Sequence, residues 1–136
     1  MSTKVFGLAL ALSLGAISGT YAPAVQAGDV SNASLACYVD TTAFDQLTSG
    51  YCSSGWRPGQ PHPTTAHFEV VGLPAGSYTY YWSDSQCNSA SSWCNKTIRK
   101  DTSGGEPITI SVNVYDNATG ASKTVQATAE YVDIWT

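Results

Sequence analysis

The clearest pattern in the chain is a strict alternation of apolar and polar side chains towards its C-terminal end. The apolar positions of this segment are Ile108, Ile110, Val112 and Val114. A period of two residues is typical of a strand with one buried face. We therefore predict a strand over residues 108–115 and assign Ile110, Val112 and Val114 to the core.

A turn and a second alternating strand follow the first one. Asp116–Gly120 is rich in turn-forming residues, and Gly120 suits the positive φ that closes a short hairpin. Apolar residues then recur at every second position over 125–131, and the alternation changes phase at Val132. We predict an antiparallel partner strand with a bulge or a change of face near Tyr131.

Two more strands are predicted upstream, over Ala66–Val71 and Ser77–Ser83, because a turn rich in Gly and Pro separates two runs of β-forming residues. In the second of them Tyr80 lies on the same face as Trp82, and we assign Tyr80 to the core. The N-terminal third is less regular. There the sequence suggests a strand over residues 35–39, a short helix or loop over 42–48, and a connector rich in Gly and Pro over 53–63.

The first 27 residues have the pattern of a bacterial signal peptide. Lys4 precedes a nearly continuous apolar run over Val5–Ile17, and small residues lead up to Ala27. We predict cleavage after Ala27, with residues 28–136 as one exported domain, extracellular or periplasmic. The apolar run is shorter than the roughly 20 residues of a transmembrane helix, and no later stretch approaches that length, so we predict no membrane span.

Four cysteines lie in the exported part of the chain, at Cys37, Cys52, Cys87 and Cys94. An even number of cysteines in an exported protein indicates disulfides. Three connectivities are possible, and proximity in sequence favours Cys37–Cys52 with Cys87–Cys94. A zinc site is the alternative, but the sequence has no C-x-x-C pair. We therefore expect two disulfides and no metal.

Charge and residue types narrow the classes of function. The chain has 6 basic and 10 acidic residues and a net charge of −4, which disfavours a nucleic acid partner because such binding needs clustered cations. Its two histidines, His62 and His67, belong to no recognisable catalytic motif, and we expect both to be exposed polar residues. The acidic residues are scattered through turns and strand ends, a pattern that favours turn formation over a glycosidase pair or a calcium loop. We predict no enzymatic activity and no cofactor.

Two segments resemble a known family. Pro74–Ser83 with its Y-x-Y-Y-W run, followed by the hairpin Ile108–Gly120, resembles the bacterial secreted immunoglobulin-like domains of the PKD type over residues 66–132. The resemblance implies an all-β, immunoglobulin-like antiparallel sandwich of about seven strands and places Trp82 in the core between the sheets. The chain departs from the family at Ser83–Cys87, where the family has D-F-G-D-G.

The aromatic content of the chain favours a role in recognising a ligand. The chain has 4 tryptophans and 8 tyrosines but few charges, as is typical of contacts anchored by aromatic rings. The loop between Cys87 and Cys94 carries Trp93, which either caps one end of the sandwich or stands in water. We therefore predict a non-catalytic binding or adhesion module for a glycan or a protein, with Trp93, Trp56 and Tyr81 as candidate anchors.

Two other functions fit the same sequence. A secreted inhibitor of another protein, such as a protease, would use the closed loop as a rigid wedge. A structural subunit of an extracellular surface assembly would donate residues 131–136 as an edge strand to a neighbour.

Overall fold

The computed structural model of the protein describes Gly19, residues 28–43 and residues 45–135. Apart from Gly19, the predicted signal peptide lies outside the described residues. One short 3-10 helix is present at Asp101–Ser103. The strands are β1 Ser34–Val39, β2 Thr48–Ser49, β3 Tyr51–Trp56, β4 Thr64–Val71, β5 Tyr78–Trp82, β6 Trp93–Ile98, β7 Ile108–Asp116 and β8 Ser122–Asp133.

The strands form two four-stranded sheets that pack face to face. The first sheet has the order β2-β1-β4-β6, and the second has the order β3-β8-β7-β5. Neighbouring strands are antiparallel except for β3 and β8, which run parallel. The fold is therefore the expected all-β, immunoglobulin-like sandwich, with one parallel pair at the edge of the second sheet.

Alternation along the central strands creates the core between the sheets. Every second side chain of β4 and of β7 is buried, as the period of two residues predicts. Trp82 packs against this core but stays partly exposed. The buried side chains include Leu35, Phe68, Tyr80, Ile98, Ile110, Val112, Val114, Ala127, Ala129 and Tyr131.

Both predicted disulfides are present. Cys37 of β1 is bonded to Cys52 of β3 with a Cα–Cα distance of 5.7 Å, so this bond joins the two sheets through the core. Cys87 is bonded to Cys94 across a separation of 7 residues. Over the described part of the chain no cysteine is left unpaired.

The predicted connector over residues 53–63 is wrong in its first part, because Ser53–Trp56 belongs to β3. The segment lacks β-branched residues, and its strand conformation comes from pairing with the end of β8 and from the disulfide at Cys52. Residues 42–48 form no helix among the positions described there, and Thr48 belongs to β2.

The predicted bulge near Tyr131 is also wrong. β8 pairs with β3 without interruption from Thr128 to Asp133. Val132 lies beside the buried Tyr131 and is partly exposed. The change of phase in the sequence therefore reflects an apolar residue at a partly exposed position and not an extra residue in the strand.

The turn between β7 and β8 is built around the buried side chain of Asp116. Its carboxylate accepts hydrogen bonds from the backbone N–H of Ala118 and from the hydroxyl of Thr119, at 2.9 and 2.7 Å. These hydrogen bonds lower the pKa of Asp116, that from Thr119 most. Gly120 has a φ of 76°, as predicted for the hairpin.

Candidate functional site

The loop between β5 and β6 is ordered by its own short-range hydrogen bonds. Asp84 Oδ1 accepts from the backbone N–H of Gln86 at 2.9 Å, and Asn88 Oδ1 accepts from that of Ala90 at 2.9 Å. Such bonds from Asp and Asn to the backbone two residues later favour tight turns. Together with the Cys87–Cys94 bond, they fix the path of the loop.

The same loop is fastened to both sheets. The backbone N–H of Val70 in β4 donates to Ser92 O at 2.8 Å, and that of Tyr80 in β5 donates to Ser89 O at 2.9 Å. The indole N–H of Trp82 faces two loop carbonyls, those of Asn88 and Ser91, each at 3.2 Å. Trp82 therefore braces the loop with its polar edge while its ring packs against the core.

Trp93 is the first residue of β6 and is 50 % exposed. No strand was predicted over residues 93–98, because Lys96 interrupts the apolar alternation of β6. Ser91 Oγ donates to Trp93 O at 3.1 Å and accepts from Trp93 N–H at 3.3 Å. The backbone of this exposed residue is therefore held in place.

The indole of Trp93 stacks on the imidazole of His67 in the neighbouring strand β4. Their ring centroids are 6.0 Å apart and their planes differ by 27°. The other neighbour of His67 is Tyr38 of β1, with a centroid distance of 5.0 Å. His67 Nδ1 lies 2.6 Å from Asn95 Oδ1, and Nε2 lies 3.3 Å from Glu69 Oε2. The His67 side chain is only 16 % exposed, so it supports Trp93 from one side.

Beside Trp93 lies a shallow, open hollow with a volume of about 270 Å³. Its polar side chains are amides and one hydroxyl, and the disulfide forms part of its wall. The lining residues are Gln86, Cys87, Asn88, Ser91, Trp93, Cys94 and Asn95. A half-exposed ring next to neutral hydrogen-bonding groups is suited to hold a ligand with both apolar and polar faces.

Lys96 and Asp84 form an ion pair next to the hollow. Lys96 Nζ lies 2.5 Å from Asp84 Oδ2 and donates to Gln86 Oε1 at 2.6 Å. The hydrogen bond with Lys96 is the largest cause of a lowered pKa at Asp84. Lys96 therefore connects the loop to β6, and its charge is already paired with that of Asp84 instead of being free for an anionic ligand.

The three predicted anchors do not share one surface. Trp93 belongs to the first sheet, whereas Tyr81 and Trp56 belong to the second. Tyr81 is 58 % exposed and meets Tyr115 edge to face. Trp56 is partly buried, and Lys100 Nζ lies 3.2 Å from its ring centroid. The ring face that Lys100 covers is not free to stack on a ligand.

The neighbourhood of Trp56 has a structural role that we expect to depend on pH. Asp133 accepts hydrogen bonds from Thr102 Oγ1 at 2.6 Å and Lys100 Nζ at 2.9 Å, and these lower its pKa to about 2. The pKa in the unfolded chain is higher, about 3.9. The stabilisation is therefore complete above about pH 4 and is lost as the pH falls towards 2.

We expect Asp133→Asn to flatten the decline of the unfolding free energy between pH 4 and pH 2. Urea denaturation at a series of pH values measures this slope. An unchanged slope in the variant would show that Asp133 does not contribute to it.

The two histidines are less exposed than predicted. His67 is held between Tyr38 and Trp93, and His62 is partly buried, with no hydrogen-bond partner for its Nε2 among the described residues. The described residues contain no group of three or more His, Cys, Asp or Glu side chains that could hold a metal.

Trp93 could be predicted as a site residue from the sequence, but the residues that support it could not. His67 and Asn95 face each other across β4 and β6, and only the register of these strands brings them together. The amides of Gln86 and Asn88 looked like ordinary loop residues. No spacing in the sequence indicates that they line a hollow with Trp93.

The fold and the site define a two-disulfide, immunoglobulin-like sandwich with an exposed, braced tryptophan at one end. Comparisons of the chain with protein-family models, with curated proteins and with solved structures found no match. Within the described part of the chain, no helix has the length and apolarity needed to cross a membrane.

Proposed function

We propose that the protein is a secreted, non-catalytic binding module that holds a glycan or protein ligand against Trp93. The observation that carries this proposal is an indole that is 50 % exposed and yet braced by His67 and by a disulfide-closed loop. Exposing a large aromatic ring loses the free energy that its burial would provide. A ligand that covers the ring recovers this free energy at little cost in conformational entropy, because the ring is already ordered.

Secretion belongs to the same proposal. Two disulfides support it, because such bonds persist in oxidising compartments such as the periplasm or the cell exterior. The pattern of residues 1–27 as a signal peptide supports it as well. Kinship with the PKD-type domains is likewise proposed, on the segments Pro74–Ser83 and Ile108–Gly120.

An inhibitor of another protein is the second candidate, and the closed loop is the observation that favours it. A loop fixed by a disulfide and by bonds to both sheets loses little entropy when it enters an active site. Inhibition assays against a panel of secreted proteases test this candidate. Strand donation by residues 131–136 has less support, since Tyr131–Asp133 already pair with β3.

The proposed function is tested by screening the protein against arrays of glycans and of bacterial surface proteins. We expect wild type to be retained by at least one ligand. The double variant Cys87→Ala/Cys94→Ala, whose loop is no longer closed, should bind that ligand about tenfold more weakly because the loop must then be ordered on binding.

Tyr81→Ala is the control, since it removes a ring of similar exposure from the second sheet and should bind as wild type does. If no ligand on either array retains wild type, or if Tyr81→Ala is the variant that loses binding, the assignment of function to the Trp93 surface is wrong.

A further inference from the structure

Two amide side chains of the hollow use their oxygens within the protein. Gln86 Oε1 accepts from Lys96 Nζ at 2.6 Å, and Asn88 Oδ1 accepts from Ala90 N–H at 2.9 Å. The NH₂ groups of these two amides have no hydrogen-bond partner among the described residues. The third amide, that of Asn95, lies 2.6 Å from His67 Nδ1 and is engaged by that ring. The hollow therefore offers two unpaired amide donors to a ligand.

A ligand for this hollow needs acceptors that are neutral. A carboxylate or sulfate group would find no cation among the described residues that line the hollow, and the neighbouring Lys96 is paired with Asp84. It would also meet a protein with a net charge of −4. Among neutral groups, an amide carbonyl is a strong acceptor for an NH₂ donor. The methyl group of an acetamide can pack on the Trp93 ring and on the disulfide, which line the same hollow.

The loop also disfavours a peptide strand as the occupant. β6 is the edge strand of the first sheet, and a peptide could add to such an edge through its backbone. However, Asp84, Gln86 and Cys87 all contact side chains of β6 and so lie along it. A sugar residue needs no free strand edge, since it binds by stacking on the ring and by hydrogen bonds from side chains.

We infer, on the basis of the proposed function, that the hollow beside Trp93 binds an N-acetylated sugar residue of a neutral glycan. The pyranose ring lies against the indole of Trp93, and the acetamido carbonyl accepts from the amides of Gln86 and Asn88. The imidazole of His67 supports the Trp93 ring from one side.

The test compares oligosaccharides that differ only in the acetamido group. Calorimetric titration with trimers of N-acetylglucosamine and N-acetylgalactosamine should give binding for at least one of them. The matched glucose and galactose trimers should bind that protein about tenfold more weakly or not at all, because each lost hydrogen bond leaves a donor unpaired.

Two variants remove one donor each while keeping the structural hydrogen bond. Gln86→Glu keeps an oxygen for Lys96, and Asn88→Asp keeps one for Ala90 N–H. We expect each to weaken binding of the acetylated trimer about tenfold. Gln126→Glu, which adds the same charge at an exposed position of β8, is the matched control and should bind as wild type does.

Equal binding of the acetylated and unacetylated trimers, or unchanged binding by both donor variants, would overturn the acetamido assignment. If no trimer binds but a protein on the surface-protein array retains wild type and is lost in Cys87→Ala/Cys94→Ala, the sugar assignment fails and the proposed function stands. If wild type binds nothing on any array, both fail.

Discussion

Replacing Trp93 with alanine is expected to weaken binding of the ligand about hundredfold, the size of effect seen for central aromatic residues of an interface. Among the described residues that line the hollow, only Trp93 has an aromatic ring, and the polar ones are three amides and Ser91. Removing the ring takes away the apolar contact area and the wall that shelters the amide hydrogen bonds from water. Titration of wild type and Trp93→Ala with the same ligand measures the effect.

The variant should remain folded, so that the loss can be assigned to the surface. Trp93 is half exposed, and its hydrogen bonds with Ser91 use the backbone of Trp93, which alanine retains. We expect a change in unfolding free energy of at most about 1 kcal/mol. Trp93→Phe keeps a ring on His67 and should recover part of the affinity. Binding by Trp93→Ala at wild-type strength would contradict the role given to this residue.

Replacing Phe68 with alanine is expected to lower the unfolding free energy by about 3–5 kcal/mol. Phe68 is 0 % exposed and projects from β4 into the space between the two sheets. Strands of both sheets surround it, so the backbone has little freedom to close the cavity that the smaller side chain leaves. A loss of this size is a large part of the stability of a small domain.

Urea denaturation followed by tryptophan fluorescence measures the effect of Phe68→Ala. Thr97→Ala is a suitable control, since Thr97 lies on β6 and is exposed, and its effect should stay within about 0.5 kcal/mol. A loss below about 1 kcal/mol for Phe68→Ala would mean that the packing between the sheets is looser than the burial of this residue implies.

Most of the strands that could be predicted have burial that alternates along their length. In β4, β7 and β8 one side of the strand faces the core, and the local sequence shows this alternation. β5 was predicted from its run of aromatic residues after a turn. The strand predicted over residues 35–39 is confirmed by β1, although most of its side chains are buried. The disulfide pairing followed from sequence proximity because both pairs close short loops. The two-sheet architecture then follows, since the apolar face of one sheet must be buried against the apolar face of another.

The strands that escaped prediction depend on partners far away in the sequence. β3 contains Gly55 at a point where Ile134 packs closely against it, and it forms only because β8 offers a free edge. β6 has the buried residues Cys94 and Ile98 on either side of Lys96, whose charge is paired with Asp84 of the loop. In both strands the local pattern is broken by a residue whose partner the sequence does not reveal.

Of the candidate site, only the loop and Trp93 could be predicted from the sequence. The loop and Trp93 stand out because a disulfide encloses a short polar segment next to an aromatic ring. The contacts of His67 with its neighbours on β6 depend on the register of β4 against β6, which the sequence does not reveal. The unpaired NH₂ groups can be recognised only when the hydrogen bonds of the amide oxygens are known. The sequence alone did not distinguish Trp56 from Trp93 as a binding residue. In the structure Lys100 covers one ring face of Trp56, whereas Trp93 stacks on His67.

The most direct measurement is a titration of ¹⁵N-labelled protein with the ligand that the arrays identify, followed by nuclear magnetic resonance. The protein has 4 tryptophans, so each indole N–H gives a separate signal. We expect the Trp93 indole and the side-chain amide of Asn95 to shift together and to saturate at one equivalent of ligand. If these signals stay in place while the amide of Asn113, beside Tyr81 on the opposite sheet, shifts instead, the binding surface is not the one around Trp93.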